Sequence, residues 1–425
     1  MEILDLETEV DNYLNDKIPV LVDRALKQHD IKAKETCKAT IKQYLVQNKA
    51  TFPGLSQDES IRRLYADLIG YGPLTYFMEH ANEKRITEIK VKGTDGIYTK
   101  EYGIWKGHPE LKFKSKKQLD NIVRRILNSS DKPMTESHPM VDNAELPDGS
   151  RVAMVQAPLT KSGLIMNIRI FTAGLYSSDA LVNMRAVTLK QDETLKRLVK
   201  AKMNLIYAGG TDTGKTTAMG AYAGHLHPDT HIITIEDANE LQLAARHANL
   251  NNVTDLFIKK DEYSNYTHID LFYWGLRASP DCFIFNEVRK PPETTVLLDA
   301  MISGHPGSAS TLHADDERRA MTRLVNNLRE NDTSLTVELA REKVCEAVDA
   351  FIVIRRVDGV RFVSDIVEPL WNPKTNNIDY HYIVTRSHYN DEGLFHGFSP
   401  QLLEMAKSRN GVSLEELEGW ECDQL

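Results

Sequence analysis

Leu205-Ile206-Tyr207-Ala208-Gly209-Gly210-Thr211-Asp212-Thr213-Gly214-Lys215-Thr216-Thr217 carries the pattern G-x-x-x-x-G-K-T. An apolar run precedes it, and the periodicity behind it is helical. Met203 to Ala208 therefore reads as a strand and Lys215 to Leu226 as a helix, the context in which this pattern has a physical job. Small residues let backbone N–H groups turn inward around phosphates. The helix start adds its positive dipole end. Gly209 to Thr217 is thus the expected nucleotide cradle. Lys215 would reach the β- and γ-phosphates, and Thr216 would bind Mg²⁺ through its hydroxyl. Asp212 stands where glycine is common. Aspartate tolerates positive φ, so the loop can form, but the charge is expected to weaken nucleotide binding.

Outward from the loop, helix and strand patterns alternate. Glu193 to Ala201 reads as helix, and His231 to Glu236 and Cys282 to Asn286 as strands. Such alternation implies a mostly parallel sheet covered by helices, an α/β domain. Two strands end in acids, at Glu236-Asp237 and at Glu287. Ligands of open parallel sheets sit beyond the carboxyl ends of strands. Glu236 and Glu287 are therefore expected beside the phosphates, with Glu287 also near Mg²⁺. Asp281 precedes its strand and is expected at the other end.

Gly304-His305-Pro306-Gly307-Ser308 leads into Thr311-Leu312-His313. A histidine there could hydrogen-bond water or sense a γ-phosphate, so His305 and His313 join the candidates. Zinc is not expected, because no third and fourth ligand follow at a useful spacing. Phosphoryl transfer gains from an arginine that neutralises developing charge. Arg151, Arg169, Arg277 and Arg289 are the candidates.

At 425 residues the chain is too long for one ordinary core. Its net charge of −9 does not announce a nucleic-acid binder. No stretch reaches the roughly eighteen apolar residues of a membrane span. The acidic start, Met1-Glu2-Ile3-Leu4-Asp5, lacks the features of a secretory signal. Cys37, Cys282, Cys345 and Cys422 lie far apart, as expected of reduced cytosolic thiols. Residues 1–70 read as helical. Residues 71–173 read as an α+β domain, with strands at 86–91, 97–105 and within 151–171 and a helix capped by Ser115. Residues 174–187 read as a linker.

The phosphate loop, the Thr234-Ile235-Glu236-Asp237 box, the acidic strand to Glu287 and the Gly304-His305 box stand in one order over about 105 residues. That set resembles the type II/IV secretion ATPase superfamily, which includes the type IV secretion traffic ATPases and the PilT-like and GspE-like motors. Gly70-Tyr71-Gly72-Pro73-Leu74, Pro139 to Asp142, Leu146 to Val152, Asn167 to Phe171, Ala347 to Val353 and Gly397 to Pro400 are most similar to the CpaF group of Tad pilus motors.

The resemblance implies a RecA-like ATPase domain over 188–375, preceded by the α+β and helical regions, with a C-terminal extension over 376–425. It implies a homo-hexameric ATP-hydrolysing motor for pilus assembly or secretion, using Mg²⁺. By resemblance Glu236 and Glu287 take the acidic roles and His305 and His313 the His-box roles. Arg151 and Arg169 approach the nucleotide from the N-terminal domain or a neighbour. A cytoplasmic protein peripheral to the membrane follows, partnered by an inner-membrane platform protein; direct nucleic-acid binding is not expected. Asn286 departs from the pattern, standing where glycine usually precedes the acidic residue. A conjugative DNA-transfer ATPase and a nucleotide-gated scaffold with little hydrolysis are the competing readings. A P-loop kinase would leave the Glu236 and His305 boxes without a purpose.

Overall fold

The computed structural model describes residues 3–27, 30–128, 134–146, 148–170, 177–237, 239–260 and 265–409. The chain divides into two compact units, Met1–Thr172 and Ala173–Leu425. Pro147, Phe171 and Cys422, named above, lie outside the described residues, as do 174–176 of the expected linker.

The first unit begins with helices Ile3–Lys17, Pro19–Lys27, Ile31–Asn48 and Gln57–Leu68. Their shared core contains Leu6, Val10, Leu14, Ile41, Leu45 and Leu64. Ser56 and Glu59 close a capping box at the start of the fourth helix. Six strands follow: β1 (Ile86–Lys92), β2 (Gly96–Glu101), β3 (Ile104–Gly107), β4 (Met140–Glu145), β5 (Arg151–Val155) and β6 (Ile165–Arg169). They form one antiparallel sheet in the order β3-β2-β1-β6-β5-β4. The run read as one strand interrupted at Gly103 is a hairpin. Tyr102 and Gly103 both take positive φ (51° and 81°), as a two-residue hairpin turn requires. Leu119, Ile122 and Ile126 of helix Lys116–Asn128 enter the core beneath this sheet.

In the second unit, β7 (Leu205–Gly209), β8 (Ile232–Glu236) and β9 (Val253–Phe257) are followed by a small hairpin, β10 (Lys259–Lys260) and β11 (Asn265–Tyr266). Then come β12 (Cys282–Phe285), β13 (Ala309–His313), β14 (Ala350–Val357), β15 (Val360–Asn372), β16 (Asn377–Thr385) and β17 (Leu394–Phe395). The main sheet runs β17-β16-β15-β14-β7-β13-β12-β8-β9. From β14 to β9 every pair is parallel, and β15 to β17 add an antiparallel wing.

Side chains alternate between two cores. Leu205, Tyr207, Cys282 and Ile284 enter one, and Ile206, Ala208, Phe283 and Phe285 the other. That is why these strands read as unbroken apolar runs: helices cover both faces.

Two expectations change. Residues 177–187, read as linker, include helix Ser178–Asn183. Ser177 caps it, and Leu181 and Val187 are buried in the core of the second unit. The expected C-terminal extension supplies β16 and β17 to the sheet, and helix Pro400–Ser408 buries Leu402, Leu403 and Ala406 in that same core.

The amino ends of β7, β13 and β14 are tied by one buried amide. Asn204 Nδ2 donates to Met301 O (3.1 Å) and Ala347 O (2.9 Å). Its Oδ1 accepts from the backbone N–H of Gly307 (3.1 Å) and Ser308 (3.2 Å). Asp349 Oδ2 accepts from Asn204 N at 2.6 Å. Asn204→Ala would strand two buried donors and two buried carbonyls, costing about 2–4 kcal/mol. A clear fall in Tm is the expected result, and a Tm equal to the wild type would show that this amide is dispensable.

Candidate functional site

The carboxyl ends of β7, β8, β12 and β13 lie side by side, because these strands are parallel and in one sheet. Sequence order changes direction at β7: the chain goes from β7 to β8 on one side and later reaches β14 on the other. Crevices at such points are where open α/β sheets bind ligands.

The loop after β7 is bent by two positive-φ residues, Asp212 (59°) and Gly214 (94°). Gly209 is required for a different reason. A Cβ there would lie 2.5 Å from Ile354 O and 2.6 Å from Thr213 Oγ1. Helix Lys215–Ala223 starts directly after Gly214, so its first N–H groups face the loop. Thr213 Oγ1 donates to Gly210 O at 3.0 Å.

A chain of charged groups runs from this loop across the strand ends. Lys215 Nζ donates to Gly210 O (2.8 Å) and lies 3.2 Å from His313 Nδ1. An ammonium can only donate, so Nδ1 accepts and the proton of a neutral imidazole sits on Nε2. That nitrogen lies 3.2 Å from Glu287 Oε1. Arg289 donates to Glu287 Oε2 and to Asp237 Oδ2, both at 2.8 Å. Burial, and then the Lys215 charge, lower the His313 pKa, which keeps the ring neutral. Burial alone would raise Glu287, but the Arg289 hydrogen bond and the charges of Arg289 and Lys215 outweigh it. Its carboxyl is held below the usual value and stays ionised.

Glu236 is the opposite case. It is fully buried, and burial pushes its pKa to about 7 even though Leu241 and Glu240 donate backbone N–H groups to Oε2 (2.9 and 3.0 Å). The two acids at neighbouring strand ends therefore differ in protonation, the pattern expected where one carboxylate acts and the other positions.

Two buried acceptors in this corner have no hydrogen-bond partner: Asn239 Oδ1 and Asn286 Oδ1. Such atoms call for a cation or for water. Among the described residues no group of three or more His, Cys, Asp or Glu could hold a metal ion by itself. Mg²⁺ keeps several waters and relies on one or two protein groups plus phosphate oxygens.

The other candidates are distributed as follows. Arg289 joins the site, whereas Arg277 caps the helix before β12 and lies at the amino ends of the strands. Asp281 is also at that end, accepting from His231 N. His305 is a correction. It precedes β13, its Nδ1 lies 3.0 Å from Pro280 O and its ring meets Phe283 edge-on, so it belongs to the edge opposite the loop. His313 ends β13 and joins the loop. In the first unit, Arg151 and Arg169 are directly paired across β5 and β6 and so share one face of the sheet.

Sequence reading missed Asp237 as a partner of Arg289. It also missed Arg323, which donates to His313 O at 2.6 Å, and two arginines on the β14–β15 hairpin. Gly210 and Thr211 face His313, Asp315, Arg319 and Arg323 across an open cleft.

A family profile described as "Type II/IV secretion system protein" matches residues 75–360. The chain belongs to that family. Among the relatives of this secretion-family chain is "Conjugal transfer protein TrbB" of Rhizobium radiobacter, 27% identical over 58% of this chain and 72% of that protein. "Putative conjugal transfer protein Rv3659c" of Mycobacterium tuberculosis is 24% identical over 62% of this chain and 75% of its own length. The type IV secretion system protein PtlH of Bordetella pertussis is 32% identical over 40% and 50%. A solved structure of the pilus retraction motor PilT with bound ADP is similar at a TM-score of 0.52, with 18% identity over 68% of this chain and 80% of that one. The fold is therefore that of the secretion and pilus ATPases. Among the described residues no helix is long and apolar enough to cross a membrane.

The Glu236 geometry sets a pH dependence. An unfolded glutamate titrates near 4.5, and the folded one near 7. The folded state therefore holds the extra proton between those values. Its stabilisation is complete below about pH 4.5 and is lost as pH rises through 7. Glu236→Gln mimics the neutral form. In nucleotide-free protein the variant's Tm relative to wild type should rise between pH 5 and pH 8, by the equivalent of about 2–3 kcal/mol. A difference that does not change with pH would show that Glu236 is ionised throughout.

Proposed function

We propose that this chain is an ATP-hydrolysing motor that works as a ring of six copies in a pilus-assembly or secretion machine. The observation that carries the reading is the line Lys215–His313–Glu287–Arg289, which joins the glycine-rich loop to an ionised carboxylate at adjacent strand ends. In this reading the backbone of Gly209 to Thr217 cradles the phosphates of ATP. Lys215 gives up Gly210 O for the β- and γ-phosphates. Thr216 and Glu287 would hold Mg²⁺, which when bound neutralises phosphate charge. Glu287 orients the attacking water, kept ionised by Arg289, and His313 senses whether Lys215 has moved. Glu236 positions the strand end through its bonds to the Glu240 and Leu241 amides.

The resemblance assigns Arg151 and Arg169 the role of neutralising charge on the phosphates, from this chain or from a neighbouring copy. Hydrolysis would then release one rigid body from another, a hinge motion biased by ligand contacts. The same reading places the protein in the cytoplasm, peripheral to the membrane and bound to an inner-membrane platform protein. By resemblance, the signatures at Gly70 to Leu74 and Asn167 to Phe171 favour the CpaF group among pilus motors. The relatives named for conjugal transfer favour a second reading, a DNA-transfer ATPase. Adjacent genes separate the two: pilin and platform genes against relaxase and coupling-protein genes.

Phosphate release should fall by roughly 10²-fold or more in Lys215→Ala. Glu287→Gln should bind ATP but turn it over slowly. Undiminished turnover in Lys215→Ala would sink the assignment, and a wild type that binds ATP without releasing phosphate would favour the scaffold reading. Light scattering with nucleotide at micromolar protein should show a species well above a dimer. Arg151→Ala or Arg169→Ala should keep nucleotide affinity and lose turnover. A fully active monomer would exclude the ring.

A further inference from the structure

Asp212 is the loop residue least suited to phosphate by charge, and the structure surrounds it with cations. Arg361 Nε donates to Asp212 O (2.8 Å) and its Nη2 to Asp212 Oδ1 (2.6 Å). Arg356 Nη1 donates to Oδ2 at 3.1 Å. Both arginines stand on the β14–β15 hairpin, where they are directly opposite one another. Two positive charges in that relation repel unless an anion lies between them. The hairpin turns at Asp358 (φ 49°) and Gly359 (φ 80°), the tight geometry that puts Arg356 and Arg361 side by side. Arg355, one residue away on the same strand, pairs instead with Asp365 of its own hairpin (3.2 Å).

The hairpin is not a free arm. β14 is hydrogen-bonded in parallel to β7, with Ile354 beside Gly209, so the arginines leave the sheet next to the loop they hold. The stem of Arg361 also runs against Gly214: a Cβ on that glycine would lie 3.6 Å from Arg361 Cδ. One arginine thus touches both positive-φ residues of the loop.

We propose that Arg356 and Arg361 are positioning residues of the nucleotide loop, forming with Asp212 a charge clamp. The clamp fixes the left-handed turn at Asp212 and offsets the carboxylate charge beside the phosphates. The bidentate grip of Arg361 on one residue's carbonyl and carboxylate supplies the geometry, which a lysine point charge would not. The inference rests on the reading of this loop as an ATP site.

The test is a double-mutant cycle in the full-length protein, read as the Kd of a fluorescent non-hydrolysable ATP analogue with Mg²⁺. Arg361→Ala leaves the Asp212 carboxylate less compensated and should weaken binding about tenfold. Arg361→Lys should recover part of that loss. Asp212→Gly supports the same positive φ without the charge, and its own Kd is the reference for the second half of the cycle. Once Asp212 is glycine, adding Arg361→Ala should change Kd by no more than about twofold. An equal loss in both backgrounds would overturn the clamp, because Arg361 would then act on nucleotide or fold directly.

Hydrogen exchange of the amides of residues 211–214 in nucleotide-free protein gives an independent readout. It should accelerate in Arg361→Ala, and by less when Arg361→Ala is added to Asp212→Gly, where the carboxylate arm of the clamp is already gone and only the bond to the carbonyl of residue 212 remains to be lost. Unchanged exchange in Arg361→Ala would also overturn the proposal. If the wild type binds no nucleotide, the ATP reading fails and the exchange measurement still decides the clamp.

Discussion

The hydrogen-bonded register of β7 between β13 and β14 sets the position of every group in the candidate site. Gly209 is paired with His313 on one side and Ile354 on the other. That pairing delivers His313 to Lys215 and brings the β14–β15 hairpin to Asp212. It also explains why Gly209 cannot carry a side chain, since the space for a Cβ is taken by the Ile354 carbonyl. A shift of one residue would exchange the two faces of β7, sending Tyr207 and Leu205 into the wrong core. The Asn204 amide resists such a shift at the amino ends, and the crowded carbonyls resist it at the carboxyl ends. The buried polar knot and the phosphate loop are thus two ends of one constraint.

Charge is distributed so that neighbouring acids have different chemistry. Glu287 meets Arg289 and lies close to His313 at the edge of the sheet, so it ionises. Glu236 is enclosed by its own strand end and finds only backbone donors, so it holds its proton to about pH 7. Coulomb attraction wins for the first and desolvation for the second. Lys215 donates to the Gly210 carbonyl and lies beside the neutral His313, which stands between it and Glu287.

Much of this was legible before any coordinates. The apolar runs at 205–209, 232–236 and 282–285 are unbroken because both faces are covered, and that pattern is one-dimensional. The loop is equally local, since its glycines and Lys215 are fixed by backbone needs within eight residues. His305 was misplaced because proximity in sequence to His313 hides β13, whose length puts the two at opposite ends of the strands. Arg356 and Arg361 were invisible for a different reason. Their mutual pairing follows from the Asp358-Gly359 turn, but their approach to Asp212 depends on β14 crossing to the far side of β7. No local pattern encodes that choice of neighbour. Helix Ser178–Asn183 went unread because six residues are too short to display a helical period, although Ser177 is an ordinary cap.

The order of synthesis acquires a meaning from this topology. The four helices and the antiparallel sheet of the first unit are complete once about 170 residues have been made. Lys215 and its loop follow soon after. Yet the strands that flank β7 begin at Ala309 and Ala350, and the arginines that grip Asp212 arrive only at 356 and 361. At about 5–20 residues per second, roughly 7–30 seconds separate the emergence of the loop from that of the hairpin that holds it. During that interval β7 is an apolar strand without its neighbours, a state open to wrong pairing. A nascent chain of this protein therefore has its greatest need of chaperone cover in the middle of its length, after the first unit has folded and before the hairpin has closed.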